Sequence, residues 1–175
     1  LDFNDFSGLE QIDGQTASVI IEPIQGEGGI ILPEDGFLQE IRDRCDRAGA
    51  LLIFDEIQTG MGRTGRWFAH QHAGIQPDVM TLAKALGNGV PIGACLARGK
   101  AADVFKPGNH GSTFGGNPLS ASAALAVLDS IRKDNLVNRT EQLGTRMLDA
   151  FNAQLGKVEG GVSIRGRGLM LGIEL

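Results

Sequence analysis

This 175-residue chain has only two cysteines, no net positive charge and no long apolar run. Each of these features argues against a class of protein. The two cysteines, Cys45 and Cys95, lie far apart and form no CxxC pair, which argues against a disulfide framework or a zinc site. The formal net charge is −5 and no basic patch stands out, which argues against nucleic-acid binding. No apolar run approaches the roughly 20 residues of a membrane span, and no secretory leader opens the chain. These features predict a cytoplasmic protein.

The two ends of the sequence indicate an excerpt of a longer protein. The chain starts at Leu1 without a methionine and stops at Leu175 inside a strand-like run. With 42% hydrophobic and 21% charged residues it can bury one substantial core, which predicts one domain or part of one.

Apolar segments typical of buried strands alternate with helical segments along the chain. Strands are predicted over residues 18–22, 50–54, 78–83 and 92–97. A helix is predicted over residues 33–49, a second from Pro118, capped by Asn117, towards residues 132–133, and a third that carries residues 143–155. From residue 162 a hairpin is predicted, with its turn at residues 165–168. Fully apolar strands alternating with helices indicate an α/β fold, with a mainly parallel sheet and helices on both faces.

Ionisable side chains stand where three of the predicted strands end. Glu22 closes the first strand, Asp55 the second and Lys84 the third. Sheets of this kind bind ligands outside the carboxyl ends of their strands, so we expect the three groups to lie over one edge. Glycine-rich loops between them would let the backbone approach a ligand closely.

A lysine and an aspartate on neighbouring strand ends suit the chemistry of pyridoxal phosphate. Lys84, as a neutral amine, could attack its aldehyde, and Asp55 could keep its ring nitrogen protonated, which makes the ring an electron sink. Gln58 lies just past Asp55 and could donate to the phenolic oxygen of the ring. Ser112 and Thr113 stand in a glycine-rich segment that could bind the phosphate.

Four segments closely resemble the class III, or ω-amino-acid, aminotransferases in order and spacing, most of all the enzymes of the acetylornithine and succinylornithine type. They are EPIQGEGG (22–29), FDEIQTGMGRTG (54–65), LAKALGNG (82–89) and HGSTFGGNP (110–118). The resemblance implies the pyridoxal-phosphate-dependent transferase fold type I, with a seven-stranded large domain, a smaller terminal domain and a homodimer. Residues 1–155 would belong to the large domain and its exit helices, and residues 156–175 would start the small domain.

The resemblance also implies roles for individual residues. Lys84 would hold the cofactor covalently and carry the catalytic proton, Asp55 would contact the ring nitrogen, and Gln58 would contact the ring oxygen. Thr113, with Ser112, would bind the phosphate of the cofactor held by the partner subunit. Glu27 would pair with an arginine beyond Leu175, so that the substrate pocket accepts either a basic amine donor or a dicarboxylate. The phosphate-cradling loop and the aromatic residue that stacks on the ring would precede Leu1.

The expected reaction moves the ω-amino group of N-acetylornithine, or a close analogue, to 2-oxoglutarate in arginine biosynthesis. Ornithine and 4-aminobutyrate aminotransferases of the same family are the alternatives. A nucleotide-binding domain is a further hypothesis, but the sequence has no Walker or dinucleotide fingerprint. The isolated chain could also be an inactive fragment whose open sheet edges bind a partner.

Several charged residues near these motifs have simpler interpretations. Glu56 is predicted to be structural, and Arg63 and Arg66 are predicted to form surface or interface ion pairs. His70 and His72 have a metal-like spacing, but without a third ligand nearby we expect both to be solvated.

Overall fold

A four-stranded sheet forms the centre of the structure, a computed structural model that describes residues 1–156 and 162–175. Its spatial order is β1-β2-β3-β4, where the strands are Ser18–Ile21, Leu51–Asp55, Val79–Leu82 and Ala94–Ala97. The β1–β2 and β2–β3 pairs are parallel, and β4 runs antiparallel to β3. The mainly parallel sheet predicted from the sequence is therefore confirmed, and its fourth strand is the antiparallel one.

Helix α1 spans Phe37–Ala48 and begins later than the sequence pattern predicts. Gly36, with φ of 85°, has a left-handed backbone that ends the preceding turn, so the segment from Pro33 onward cannot yet be helical. The helix ends at Gly49, which is also left-handed, as expected of a glycine at a helix C-terminus. Its buried face, which includes Ile41, packs against Leu52 and Phe54 of β2.

Two further helices follow the sheet. Helix α2 spans Pro118–Lys133, and the side chain of Asn117 accepts a hydrogen bond from the Ser120 amide at 2.9 Å, which confirms the predicted cap. Helix α3 spans Leu136–Leu155. None of the described helices is both long enough and apolar enough to cross a membrane.

The described helices α1 and α2 cover the same face of the sheet. Met80 and Leu82 of β3 pack in a cluster with residues of α2, and Met80 is paired in register with Phe54, which packs against α1. Alternation along the strands places Asp55 and Thr81 on the opposite face. Within the described residues, the predicted helical cover is therefore present on one face, and the face carrying Asp55 is accessible.

The last described segment is the predicted β-hairpin, which forms its own two-stranded sheet, but its turn lies at residues 168–169 and not at the predicted 165–168. Strands β5 (Ser163–Arg167) and β6 (Met170–Glu174) are antiparallel, and the hairpin packs mainly on α3. A Cβ on Gly144 of α3 would lie 2.1 Å from the carbonyl oxygen of Gly168, so glycine is required for this close contact. The predicted small-domain segment starts at residue 156, and its residues 157–161 lie outside the described part of the chain.

Candidate active site

Lys84 stands just beyond β3 in an unusual backbone conformation. Its φ of 42° lies in the left-handed region, which is uncommon for a residue other than glycine and costs energy unless the surroundings hold it. Its carbonyl oxygen accepts hydrogen bonds from the amides of Gly87 (3.2 Å) and Asn88 (3.1 Å), which close a tight turn. A Cβ on Gly87 would lie 2.1 Å from the Val90 carbonyl oxygen, so this turn needs its glycine. The Lys84 side chain on this turn is exposed.

Lys84 and Gln58 line one cavity of about 550 Å³. This volume lies within the range of small-molecule sites, roughly 300–1,000 Å³. The same cavity is bounded by Ile30 from the loop after β1, by Arg63 and by the hairpin residues Leu169, Met170 and Leu171. Three distant segments of the chain thus line the cavity together with Lys84.

Asp55 is the last residue of β2 and is paired with Thr81, three residues before Lys84. Its Oδ1 accepts hydrogen bonds from the Thr81 hydroxyl at 3.1 Å and from the Ile57 amide at 3.0 Å. These two donors fix the orientation of the half-buried carboxylate. Asp55 lines a separate cavity that also contains Glu22.

The three strand-end groups lie at or just past the carboxyl ends of neighbouring parallel strands, as expected, but they do not all line one cavity. Glu22 and Asp55 share a cavity, whereas Lys84 lies in another. The difference arises because Asp55 projects from the accessible face of the sheet, whereas Lys84 lies past the strand end in its own turn.

The loop after β1 contributes lining residues to both cavities. Glu22 Oε2 accepts a hydrogen bond from the Gly26 amide at 3.0 Å, which ties the loop to the end of β1. A Cβ on Gly26 would lie 2.3 Å from Nε2 of Gln58, so the Gln58 amide rests directly against this glycine. Glu27, the next residue, is exposed.

Ser112 and Thr113 are exposed and line neither of these two cavities. They lie in the segment before α2, where Ser112 Oγ accepts a hydrogen bond from the Gly115 amide at 2.9 Å. The described chain therefore brings Lys84 and Gln58 together but leaves both hydroxyl residues apart from them.

Glu56 is the centre of a buried polar network, in agreement with its predicted structural role. Its carboxylate accepts hydrogen bonds from the hydroxyl of Thr59 and from the amides of Ala69 (2.8 Å) and His70 (2.9 Å). The Nδ1 atom of His70 lies 3.0 Å from the same carboxylate. The prediction that His70 is solvated is therefore wrong, because its ring is largely buried and stacks on Phe68.

The network sets the ionisation of Glu56. Burial alone would raise the pKa of this carboxyl group, but hydrogen bonds from His70, Thr59 and Ala69 outweigh burial and hold the pKa below its ordinary value. The stability that this shift contributes is present above the pKa of an unfolded glutamate, about 4.3, and is lost as the pH falls through the lower folded-state value.

We expect Glu56→Gln to destabilise the full-length protein by about 3 kcal/mol at neutral pH, because an amide cannot accept all the hydrogen bonds that now converge on the carboxylate. Urea denaturation at pH 7 would measure the change. The matched control is Glu141→Gln, which removes a half-exposed carboxylate 3.6 Å from Arg66 and should cost less than about 1 kcal/mol. Equal urea midpoints for the two variants would contradict a central role for Glu56.

Arg66, Arg63 and His72 were all predicted to lie at the surface or an interface without a role in the site, and the three have different surroundings in the structure. Arg66 forms the predicted surface ion pair with Glu141. Arg63, for which the sequence predicted a surface or interface ion pair, lines the Lys84 cavity. His72 Nε2 lies 3.1 Å from the carbonyl oxygen of Thr64. The described residues contain no group of three or more side chains suited to hold a metal ion.

The residues around Lys84 fit pyridoxal phosphate at one end of the ring. An amine and an amide share a cavity wall, and Gly26 leaves room for the amide where any Cβ would displace it. Asp55 supplies an oriented carboxylate on the adjoining strand. Lys84, Gln58 and Asp55 are the residues that would hold the group.

Comparisons with known proteins identify the family of the chain. The family profile described as "Aminotransferase class-III" matches residues 2–175. The acetylornithine aminotransferase of Nitrosomonas europaea is 53% identical over 161 residues, which cover 92% of this chain and 41% of that protein. The acetylornithine aminotransferase of Mycobacterium tuberculosis is 57% identical over 166 residues, covering 94% of this chain and 40% of that protein. The chain thus spans less than half the length of these curated relatives.

Solved structures of aminotransferases superpose on nearly the whole chain. An ornithine aminotransferase from Toxoplasma gondii, whose active site contains pyridoxal phosphate at partial occupancy, has a TM-score of 0.95 and 43% identity, and the match covers 100% of this chain and 42% of that one. The acetylornithine aminotransferase of Elizabethkingia anophelis has a TM-score of 0.89 and 40% identity over 97% of this chain and 43% of that one.

These matches confirm fold type I, and they confirm the cofactor predicted from the sequence, since class-III aminotransferases use pyridoxal 5′-phosphate. The chain belongs to the class-III aminotransferases.

Proposed function

We propose that the protein containing this chain moves the ω-amino group of N-acetylornithine to 2-oxoglutarate, giving a semialdehyde and glutamate, in arginine biosynthesis. The observation that carries the proposal is Lys84, held in a strained turn at the end of β3 and facing a cavity that it shares with Gln58. The names of the relatives that are 53% and 57% identical favour N-acetylornithine as the donor.

When bound, pyridoxal phosphate supplies an electron sink, which stabilises negative charge at the carbon next to a substrate nitrogen. Lys84 Nζ is the proposed catalytic base: once the amino donor has displaced it, the free amine would take a proton from that substrate carbon and hold it for return. Its strained turn supports this role because backbone strain of about 1–3 kcal/mol persists where surrounding contacts fix a functional conformation.

Asp55 and Gln58 are proposed to tune the electronic state of the ring. The carboxylate of Asp55 would keep the ring nitrogen protonated, and the Thr81 hydroxyl and Ile57 amide orient that carboxylate. The amide of Gln58 would donate to the ring oxygen, since it lies on the Lys84 cavity wall against Gly26.

Glu27 is proposed to bind the substrate. It is exposed on the loop whose residue Ile30 lines the Lys84 cavity, and its carboxylate would reach the substrate from that loop. Pairing with an arginine outside the chain would let the pocket accept a dicarboxylate as well as an amine donor. The similarity to an ornithine aminotransferase structure at 43% identity supports ornithine as the second candidate donor, and 4-aminobutyrate remains a third.

A homodimer with a shared active site is proposed for the cytoplasmic enzyme. Ser112 and Thr113, which lie apart from the Lys84 cavity, would then bind the phosphate of the partner's cofactor. Large apolar side chains around this segment are exposed and would be covered by the second copy: Val104 (62%), Phe105 (64%), Phe114 (80%), Leu119 (76%) and Leu125 (62%). Residues 1–155 are proposed to belong to the large domain and residues 156–175 to the small one.

Steady-state kinetics of the full-length protein would test the reaction. We expect the highest kcat/KM with N-acetylornithine when 2-oxoglutarate is the acceptor and glutamate formation is measured. Succinylornithine, ornithine and 4-aminobutyrate serve as the comparison donors.

A higher kcat/KM for ornithine or 4-aminobutyrate would select that alternative. No glutamate from any donor would refute the aminotransferase proposal. The isolated 175-residue chain is proposed to be inactive, and its elution on size exclusion and its visible spectrum after addition of pyridoxal phosphate would show whether it assembles and binds the cofactor.

A further inference from the structure

Arg165 joins the C-terminal hairpin to the glycine-rich loop that carries Glu27. Its Nε donates to the carbonyl oxygens of Gly29 (2.9 Å) and Ile30 (3.1 Å), and its Nη2 donates to Gly29 at 2.7 Å. Its Nη1 donates within the hairpin to Ser163 Oγ at 2.9 Å and to Glu174 Oε2 at 2.7 Å. All three guanidinium nitrogens are therefore used, and the contact joins residues 136 positions apart.

The loop that Arg165 contacts has a backbone that needs external support. Ile30 has φ of 55°, a left-handed conformation that is a genuine outlier for a β-branched residue. Such a conformation persists only where surrounding contacts determine it. The Ile30 carbonyl bonds Arg165, and its side chain lies against Gly172 of β6, where an added Cβ would approach to 3.1 Å. The hairpin thus holds the strained residue from both its backbone and its side chain.

The loop and the hairpin both line the Lys84 cavity. Ile30 lines that cavity from the loop, and Leu169, Met170 and Leu171 line it from the hairpin. Glu22 fixes the start of the loop through the Gly26 amide, so Arg165 and Glu22 hold its two ends, with Glu27 between them.

We propose that Arg165 is a positioning residue that holds the loop of residues 26–31 on the rim of the Lys84 cavity and thereby sets the position of Glu27 for the amino donor. The inference rests on the proposed function for its link to substrate, whereas the loop contact itself does not depend on it. Neither Lys84 nor Asp55 is a hydrogen-bond partner of Arg165. The effect of Arg165 on donor binding should therefore be separable from cofactor binding.

Hydrogen exchange of the full-length protein without cofactor tests the contact directly. The amides of Gln25, Gly29, Ile30 and Ile31 are hydrogen-bonded within the loop. Arg165→Ala should make them exchange at least about tenfold faster, since two carbonyl oxygens lose a charged donor. Arg165→Lys should give an intermediate rate, because one ammonium cannot reproduce the planar fork. Glu174→Gln, which alters the ion pair of Arg165 and leaves its bonds to the loop, should exchange at the wild-type rate.

Donor kinetics of the holoenzyme test the consequence. In Arg165→Ala we expect the KM for N-acetylornithine to rise about tenfold or more while kcat changes less than threefold and the visible absorbance of the bound cofactor is unchanged. Arg165→Lys should recover part of the affinity. Arg146→Ala, which removes an exposed arginine from α3, is the control for lost charge and should leave KM unchanged.

The outcomes separate the two proposals. Wild-type exchange in both Arg165 variants would overturn the loop contact, whatever the activity. Faster exchange with unchanged donor KM would overturn the positioning role. An inactive wild-type protein would refute the proposed function instead, and the exchange result would still decide whether Arg165 holds the loop. If Arg165→Ala fails to fold, the comparison of Arg165→Lys with Glu174→Gln gives the same decision.

Discussion

Alanine in place of Lys84 is expected to abolish transamination by the full-length protein and to leave pyridoxal phosphate weakly and non-covalently bound. A positioned general base contributes about 10²–10⁴-fold in rate, and here the same side chain is also the proposed covalent attachment. Glutamate formation should therefore fall by at least that factor even at saturating donor. The substitution removes a side chain that is exposed in this chain, so the urea midpoint of the cofactor-free protein should change little.

The attachment site is checked independently of activity. Borohydride reduction of the wild-type holoenzyme should fix the cofactor to the peptide of residues 81–89, and the alanine variant should yield no labelled peptide. Lys100→Ala is the matched control, because Lys100 is exposed and its Nζ donates to the Gly49 carbonyl at 3.1 Å rather than facing the Lys84 cavity. Label on another lysine, or full activity of the Lys84 variant, would contradict the assignment.

Sequence patterns predicted those parts of the fold that depend on local interactions. The strands, the Asn117 cap and the C-terminal glycine of α1 follow from hydrophobic runs and from backbone preferences of single residues. The late start of α1 was missed because it depends on the left-handed backbone of Gly36, and a glycine there is equally compatible with a helix that begins earlier.

The site was predictable in its residue types but not in its arrangement. Local sequence indicated Lys84 and Asp55 because each polar group follows an apolar strand. Their division between two cavities arises because Asp55 stays on a face of the sheet, whereas a turn closed by the amides of Gly87 and Asn88 carries Lys84 past the end of β3. The pairing of Glu56 with His70 likewise joins separate segments, so no local pattern distinguished His70 from a solvated histidine.

The most distant contact was the least predictable. Arg165 lies in a segment of alternating arginine and glycine that indicates a turn, and its partners are carbonyl oxygens 136 and 135 residues away. Main-chain acceptors have no residue identity, so a sequence cannot specify them. The strained backbone of Ile30 is equally hidden, since isoleucine is among the residues least expected in a left-handed conformation.

Asp55 is placed to act through its charge, because the contacts that orient it do not depend on that charge. Oδ1 is held by the Thr81 hydroxyl and the Ile57 amide, both neutral donors that an asparagine oxygen could also accept. Asparagine would therefore keep the geometry of the β2 end while removing the negative charge. Thr81→Val has the opposite effect, since it keeps the carboxylate and removes one of the groups that orient it.

Asp55→Asn is accordingly expected to lower kcat by about 10²–10³-fold, the effect typical of removing one preorganised charge-stabilising group from an active site. Thr81→Val should lower kcat by only about tenfold, because a neutral hydrogen bond contributes about 1 kcal/mol. Turnover with saturating N-acetylornithine and 2-oxoglutarate measures both, and the reduced peptide of residues 81–89 should still be labelled in each variant because Lys84 is intact. If Asp55→Asn retained wild-type kcat while Thr81→Val did not, the carboxylate would serve the structure of the strand end and the ring nitrogen would have to be protonated by another group.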